Sequence, residues 1–409
     1  MPQPTQRADL LTAEPQPKPS DRPYIGGQAV LEGVMMRSPA SLAIACRRAD
    51  GSISIKERPI QKRVSLASKI PLVRGMATLV ESLRMGSEAL RFSAELFEKD
   101  MLAAEAEAEA EGAAKPRSGP AAAPSPPKGL SVLSAFGLAL ANLVTRADSD
   151  PASQNAGGDE GSGRSASPMA IMTIVAVLFL IALPQLLAYG TSSVFHLSLD
   201  VRSPKFQLLT GGFKLFVVVG YMLLIRRVPD IRRVFQYHGA EHKTISTYEA
   251  REELVVENAR AKTTLHPRCG TTFLVMTVLV SILVWTALGP LMPRFGGSRF
   301  TEQVVFFLMK LPFLPVLAGI TFEIQRFTAR YCLTGPLRVL LWPGFLIQKI
   351  TTIEPDDDQL EIALASLRAT LWREEVGTEQ GKPTDMNEVV AFPSYEALVQ
   401  APGLRDLAA

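Results

Sequence analysis

Alternation and helical stripes divide the chain into segments of different kinds. Leu42, Ile44 and Cys46 alternate with small or polar residues, as do Ile53 and Ile55, and Ala49-Asp50-Gly51 lies between the two runs. Period-two runs around Asp-Gly predict a β-hairpin. After Pro71, Met76, Leu79, Leu83, Leu90 and Phe97 recur near every 3.5 residues, which predicts one amphipathic helix over about 72–99. That helix would lie on a small domain or on a membrane surface. Four long apolar runs follow: Met169–Tyr189, Leu208–Ile225, Thr272–Met292 and Val304–Phe322. Each approaches the ~20 residues that cross a hydrocarbon core. Lys214 and Lys310 are the charges inside them; Lys310 is expected to snorkel outward or face a polar cavity. Val339–Ile350, around Trp342-Pro343-Gly344, is too short to span and reads as interfacial or re-entrant. Asp356-Asp357-Asp358 supplies N-terminal acids to a helix carrying Leu360, Leu364, Leu367 and Leu371.

The fold class expected is mainly α: an integral membrane protein with about four transmembrane helices and a small α+β cytoplasmic N-terminal domain. Residues 1–23 are Pro-rich and polar and read as a disordered tail; 24–99 form the N-terminal domain. Residues 100–168 read as a low-complexity linker, with Ala-Glu alternation and then Pro, Ser and Gly runs. Inside it, Leu130–Thr145 is apolar but short of a span, and suits an interfacial helix. Residues 169–350 form the membrane domain, and 351–409 a cytoplasmic helix and a partly disordered tail.

Composition sharpens this picture in three places. A 47% hydrophobic content suits a membrane protein, and the polar N-terminus has no apolar core of a signal peptide. A net charge of +3 without a basic arm argues against nucleic acid. The segment 226–271 holds nine Lys and Arg, against two each in 190–207 and 293–303. The positive-inside rule then places that loop and both termini in the cytoplasm of a multi-pass protein of the cytoplasmic membrane. The partner expected is the lipid bilayer; a homo-oligomer is left open. Cys46, Cys269 and Cys332 are odd in number and scattered, so no disulfide framework is implied.

Candidate chemistry lies in Tyr237-His238-Gly239-Ala240-Glu241-His242-Lys243. Residues i and i+4 share a helix face, so His238 and His242 would point the same way with Glu241 beside them. This is the H-x-x-E-H arrangement of inverted zinc proteases, two imidazoles for the metal and a carboxylate as base. A solvated polar surface is the plainer reading of the same residues. His266 and Cys269 precede the third span, and Glu323 follows the fourth, all at the same membrane face. Two metal sites are conceivable. In an open one, His238, His242 and Glu323 hold a divalent ion, zinc by ligand type, with Glu241 as base. In a closed one, His238, His242, His266 and Cys269 complete a structural site. Glu32, an acid among apolar neighbours, needs a partner such as Arg37 or a site role.

Gly26 to Arg37, Tyr237 to Lys243 and Arg268-Cys269-Gly270-Thr271 resemble, block by block, the YqhQ-like family of bacterial polytopic membrane proteins. The resemblance covers about 24–99 and 168–372; the insertion at 100–168 is longer than the family leads one to expect. It implies an integral membrane protein and a metal-dependent enzyme, with Glu32, His238, Glu241, His242 and Cys269 as site residues. It supplies no substrate. The function expected is a metal-dependent, hydrolase-like enzyme at the cytoplasmic membrane face. The alternative is a non-catalytic membrane scaffold that uses the same residues as a structural site or polar network.

Overall fold

The computed structural model describes residues 22–60, 71–114, 182–332, 335–379, 389–401 and 404. Four strands open the chain: β1 (Gly26–Val30), β2 (Gly33–Arg37), β3 (Ser41–Arg47) and β4 (Ile53–Pro59). Each pairs antiparallel with the next. The expected hairpin is β3–β4, and Gly51 turns it at φ 86°. The Gly26–Arg37 block is a second hairpin, β1–β2. Its turn holds Glu32 at φ 49°, in the left-handed region.

A long helix, α1 (Pro71–Ala114), follows. It extends past residue 99, through the Ala-Glu alternation assigned to the linker. Ala and Glu are both strong helix formers, so their alternation prolongs a helix once it is nucleated. The apolar patch Leu130–Thr145 lies outside the described residues, as does 169–181 of the first expected span; residues 182–194 are helical and are named α2.

Three stretches are long and apolar enough to cross a membrane among the described residues: Pro204–Ile225, Gly270–Leu291 and Arg299–Tyr331. The first is α3 (Pro204–Ile225), started by Ser203, whose hydroxyl accepts from the Phe206 amide. Between α3 and the second stretch lie α4 (Pro229–Glu249) and the short α5 (Val256–Arg260). The second is α6 (Gly270–Leu288) with a closing 3-10 turn. The third is α7 (Arg299–Lys310), a 3-10 turn Leu311–Phe313 and α8 (Leu314–Tyr331). Pro312 and Pro315 explain that change of pitch, because a proline interrupts the amide ladder. Lys310 does not snorkel. Its Nζ donates to Gln207 Oε1 (3.0 Å) and Gln185 Oε1 (3.3 Å) and lies 4.6 Å from the centre of the Phe306 ring.

The chain ends with α9 (Trp342–Thr351), α10 (Asp357–Glu379), β5 (Val389–Phe392) and α11 (Tyr395–Val399). The helix expected after Asp356 is α10, and the stretch beyond it includes a strand that joins the N-terminal sheet. Strand β5 pairs with β4, giving an antiparallel sheet in the order β1-β2-β3-β4-β5. Helix α10 lies on one face of it. Leu360, Leu364 and Leu367 are fully buried with Val34, Met36, Ala43, Ala45, Ile53 and Ile55. Each such leucine contributes roughly 1.5–3 kcal/mol of burial. Val30, Met35, Leu42, Ile44 and Cys46 occupy the other face and pack on Met85, Ala89, Phe92 and Leu96 of α1. The sheet is therefore sandwiched between helices, which is why β3 is buried at successive positions on both faces.

Candidate metal centre

Helix α4 places the central residues. It is amphipathic at its start and buried nearly all round from Tyr237 to Ile245. It packs on β1 and α10 on one side and on the segment after α9 on the other. Gly239 makes the second contact: a methyl built on it would lie 2.1 Å from the Ile353 carbonyl oxygen. The Ile353 amide also donates to Phe235 O (3.0 Å).

His238 and His242 share a face of α4, with ring centroids 4.5 Å apart. His238 Nδ1 bonds Thr351 O at 2.9 Å, and His242 Nδ1 bonds Thr264 O at 2.5 Å. A carbonyl oxygen only accepts, so both Nδ1 atoms donate. An imidazole that donates through Nδ1 has Nε2 as its ligating nitrogen. His238 Nε2 lies 3.1 Å from Cys269 Sγ, while His242 Nε2 is buried with no hydrogen-bond partner among the described residues. One ligand atom from each of His238, His242 and Cys269 falls within 4.8 Å of the others.

Cys269 caps the N-terminus of α6, and its sulfur accepts from the Thr271 amide (3.4 Å). Burial works against a thiolate there. The His242 imidazole and the Thr271 hydroxyl and amide outweigh it and bring the thiol below its ordinary value. His242 is lowered from its ordinary value by burial, against the opposing pull of Cys269.

Glu241 completes the neighbourhood. It is 5% exposed, and among the described residues its Oε2 has no hydrogen-bond partner. Burial pushes it up to about 8, opposed by His238 and reinforced by Cys269. Its side chain lies against Gly27 of β1, close enough that a Cβ on Gly27 would meet Cγ at 2.7 Å.

The remaining expected residues fall elsewhere. The Glu323 carboxylate is held by Arg74 of α1 at 2.7 and 2.9 Å, outside the His-His-Cys group. It is an ion-pair partner, because α1 brings a guanidinium alongside α8. His266 is buried next to His242, with ring centroids 5.7 Å apart, but its Nε2 faces Glu249 Oε2 at 3.4 Å. Burial lowers it to about 4. Glu32 takes Arg233, not Arg37, as its partner. Both carboxylate oxygens bond the guanidinium at 2.5 Å, and Tyr237 Oη donates to it at 3.2 Å. Glu32 thus anchors the start of α4 to the β1–β2 turn.

Several contributors carry no sequence signal. Thr351 and Thr264 act through backbone carbonyls. Gln325 Nε2 donates to Cys269 O (3.0 Å), and Gln348 bridges His266 and Thr272. Gly27 did carry a signal, since a glycine pair permits close approach of another element.

Over residues 70–373 the sequence matches a family described as a protein of unknown function (DUF1385). The chain belongs to that family. It is also 31% identical over 365 residues to the uncharacterized protein YqhQ of Bacillus subtilis (strain 168), covering 88% of this chain and 96% of that one. No solved structure matches. Within this DUF1385 chain the His-His-Cys group lies where α3 has ended and α6 begins, so it sits at one end of the apolar helices.

Proposed function

We propose that this DUF1385 protein is a metal-dependent hydrolase of the cytoplasmic membrane, working at the cytoplasmic end of its apolar helices. One observation carries the reading. Two imidazoles have Nδ1 committed to backbone carbonyls, His238 Nε2 lies 3.1 Å from the Cys269 sulfur, and one ligand atom from each of His238, His242 and Cys269 lies within 4.8 Å of the others. Such carbonyl partners fix the tautomer that ligation needs. The buried Nε2 of His242 has no other use among the described residues. Two nitrogens and a sulfur suit zinc, and three protein ligands leave a position open. A zinc ion held there supplies Lewis acidity toward a carbonyl.

The chain's own residues do the rest. His238, His242 and Cys269 would hold the ion. Glu241 Oε2 takes a proton from the attacking water and returns it to the leaving group. Arg226, Arg227, Arg232, Arg233, Lys243, Arg251, Arg260, Lys262 and Arg268, between α3 and α6, support a cytoplasmic location. The placement of His266 toward Glu249 favours an open site over a closed structural one.

Metal analysis of the purified full-length protein tests this. Wild type should carry close to one zinc per chain, and His242→Ala and Cys269→Ala should each lose it. Equal metal in all three sinks the ligand set. Metal that is bound while Glu241→Gln leaves every hydrolytic rate unchanged supports the scaffold alternative instead.

A further inference from the structure

We infer that the outer edge of β1 is the docking edge for the substrate, and that the substrate is an extended polypeptide. The inference rests on the hydrolase reading above and names its substrate class.

Among the described residues strand β1 stands at the end of the sheet order and pairs with β2 alone. Among the described residues no backbone–backbone hydrogen bond joins Gly26–Val30 to any other element. Gly26, Gly27, Gln28 and Ala29 are each partly exposed. Unpaired amides and carbonyls on an edge strand are a template for another strand. Proteins usually blunt such edges with lysine, proline or a bulge. The Gly-Gly-Gln-Ala-Val sequence has neither charge nor proline, and its register with β2 is unbroken.

The position of this edge decides what it could serve. Gly27 touches Glu241, the residue with the unpartnered buried carboxylate oxygen. A strand added to β1 would lie about 4.8 Å away and run past that carboxylate. Two successive glycines leave no side chain to hold an incoming backbone off. The sheet's other edge, β5, carries exposed Val389 and Val390 and pairs with β4, three strands from β1. Among the described residues, no carboxylate other than Glu241 has a buried, unpartnered oxygen.

The reaction balances with water alone. Water oxygen adds to the peptide carbonyl carbon, the C–N bond breaks, and Glu241 carries the proton from water to the leaving nitrogen. A carboxylic acid and an amine result.

Hydrogen exchange on the full-length protein in lipid nanodiscs tests the inference. β-Casein, an unfolded polypeptide, is the probe, added to Glu241→Gln and, in parallel, to wild type stripped of metal by a chelator. Exchange at Gly26–Val30 should slow by about tenfold or more on adding casein, with no change at Val389–Phe392. Unchanged exchange at Gly26–Val30 in both samples, or protection at β5 alone, overturns the docking edge. Metal content measured on the untreated protein separates the two ideas. Zinc without protection leaves the hydrolase reading and removes this one; protection without zinc does the reverse.

Discussion

Gly27 of β1 lies flat against the Glu241 side chain: a methyl group built on it would sit 2.7 Å from Cγ and 2.8 Å from Oε1. The contact couples the sheet edge to the carboxylate. Gly27→Ala should displace Glu241 and cost about 1–3 kcal/mol, as overpacking does. Thermal unfolding should show the drop, and zinc content should stay at the wild-type level while hydrolysis falls. Full activity in Gly27→Ala would mean that the position of this carboxylate does not matter.

Gly239 faces something harder. The atom in the way of a side chain is the Ile353 carbonyl oxygen, at 2.1 Å, and Ile353 is itself pinned to Phe235 O. Backbone cannot swing aside as a side chain can. Gly239→Ala is expected to cost about 3 kcal/mol or more, at the top of the overpacking range. It should also loosen Thr351 from His238 and lower metal content. A melting temperature within a degree of wild type would contradict this packing.

A pH effect follows from Asp100, which α1 holds against the β3–β4 turn. Arg48 Nε bonds both its oxygens, at 2.7 and 3.0 Å, and the Ala49 amide donates to it at 3.0 Å. The Arg48 hydrogen bond, with that amide, holds the Asp100 carboxyl below its ordinary value against a small cost of burial. Its stabilisation is therefore complete above the unfolded value near 4 and is lost as pH falls through the lowered folded value. The pair is partly exposed, so its worth is about 0.2–1 kcal/mol. Asp100→Asn should lower stability by that amount at pH 7 and by nothing near pH 2, read by denaturant unfolding at each pH. A constant difference at every pH would rule the linkage out.

Lys310 is 5% exposed inside Arg299–Tyr331, and no carboxylate bonds it among the described residues. Two glutamine oxygens and two aromatic rings hold it instead. Lys310→Met keeps the volume but leaves Gln185 Oε1 and Gln207 Oε1 without that donor. A loss of about 1–3 kcal/mol is expected from the unsatisfied acceptors. Thermal unfolding in detergent measures it; a gain in stability would show that the buried charge is the larger burden.

Much of the architecture was legible residue by residue. Leu42, Ile44 and Cys46 alternate because one side of β3 meets α1, and the alternation needs no partner to be read. The apolar run Leu208–Ile225 marks α3 in the same local way, while its start at Ser203 came only with the structure. Thr351, by contrast, gives the site only a carbonyl, and every residue has one. Strand β5 is four residues with no neighbouring pattern; it exists because β4 offers an unpaired edge. Glu32 advertised a need for a counter-charge, and Arg37 was the partner in view because it is near in sequence; Arg233 is 201 residues away and carries no local signal.

From the sequence alone came the local facts: which runs are apolar enough to span, and that His238, Glu241 and His242 fall within one helical turn and a half. Both follow from composition and from the 3.6-residue period, which are properties of neighbours along the chain. Tertiary structure decided which of the distant candidates joins them. It turned Cys269 toward the two imidazoles, gave Glu323 to Arg74 and Glu32 to Arg233, and set Gly27 against Glu241. Those choices depend on how helices and sheet pack across hundreds of residues, where an ångström of approach separates a ligand from an ion pair and no period records it.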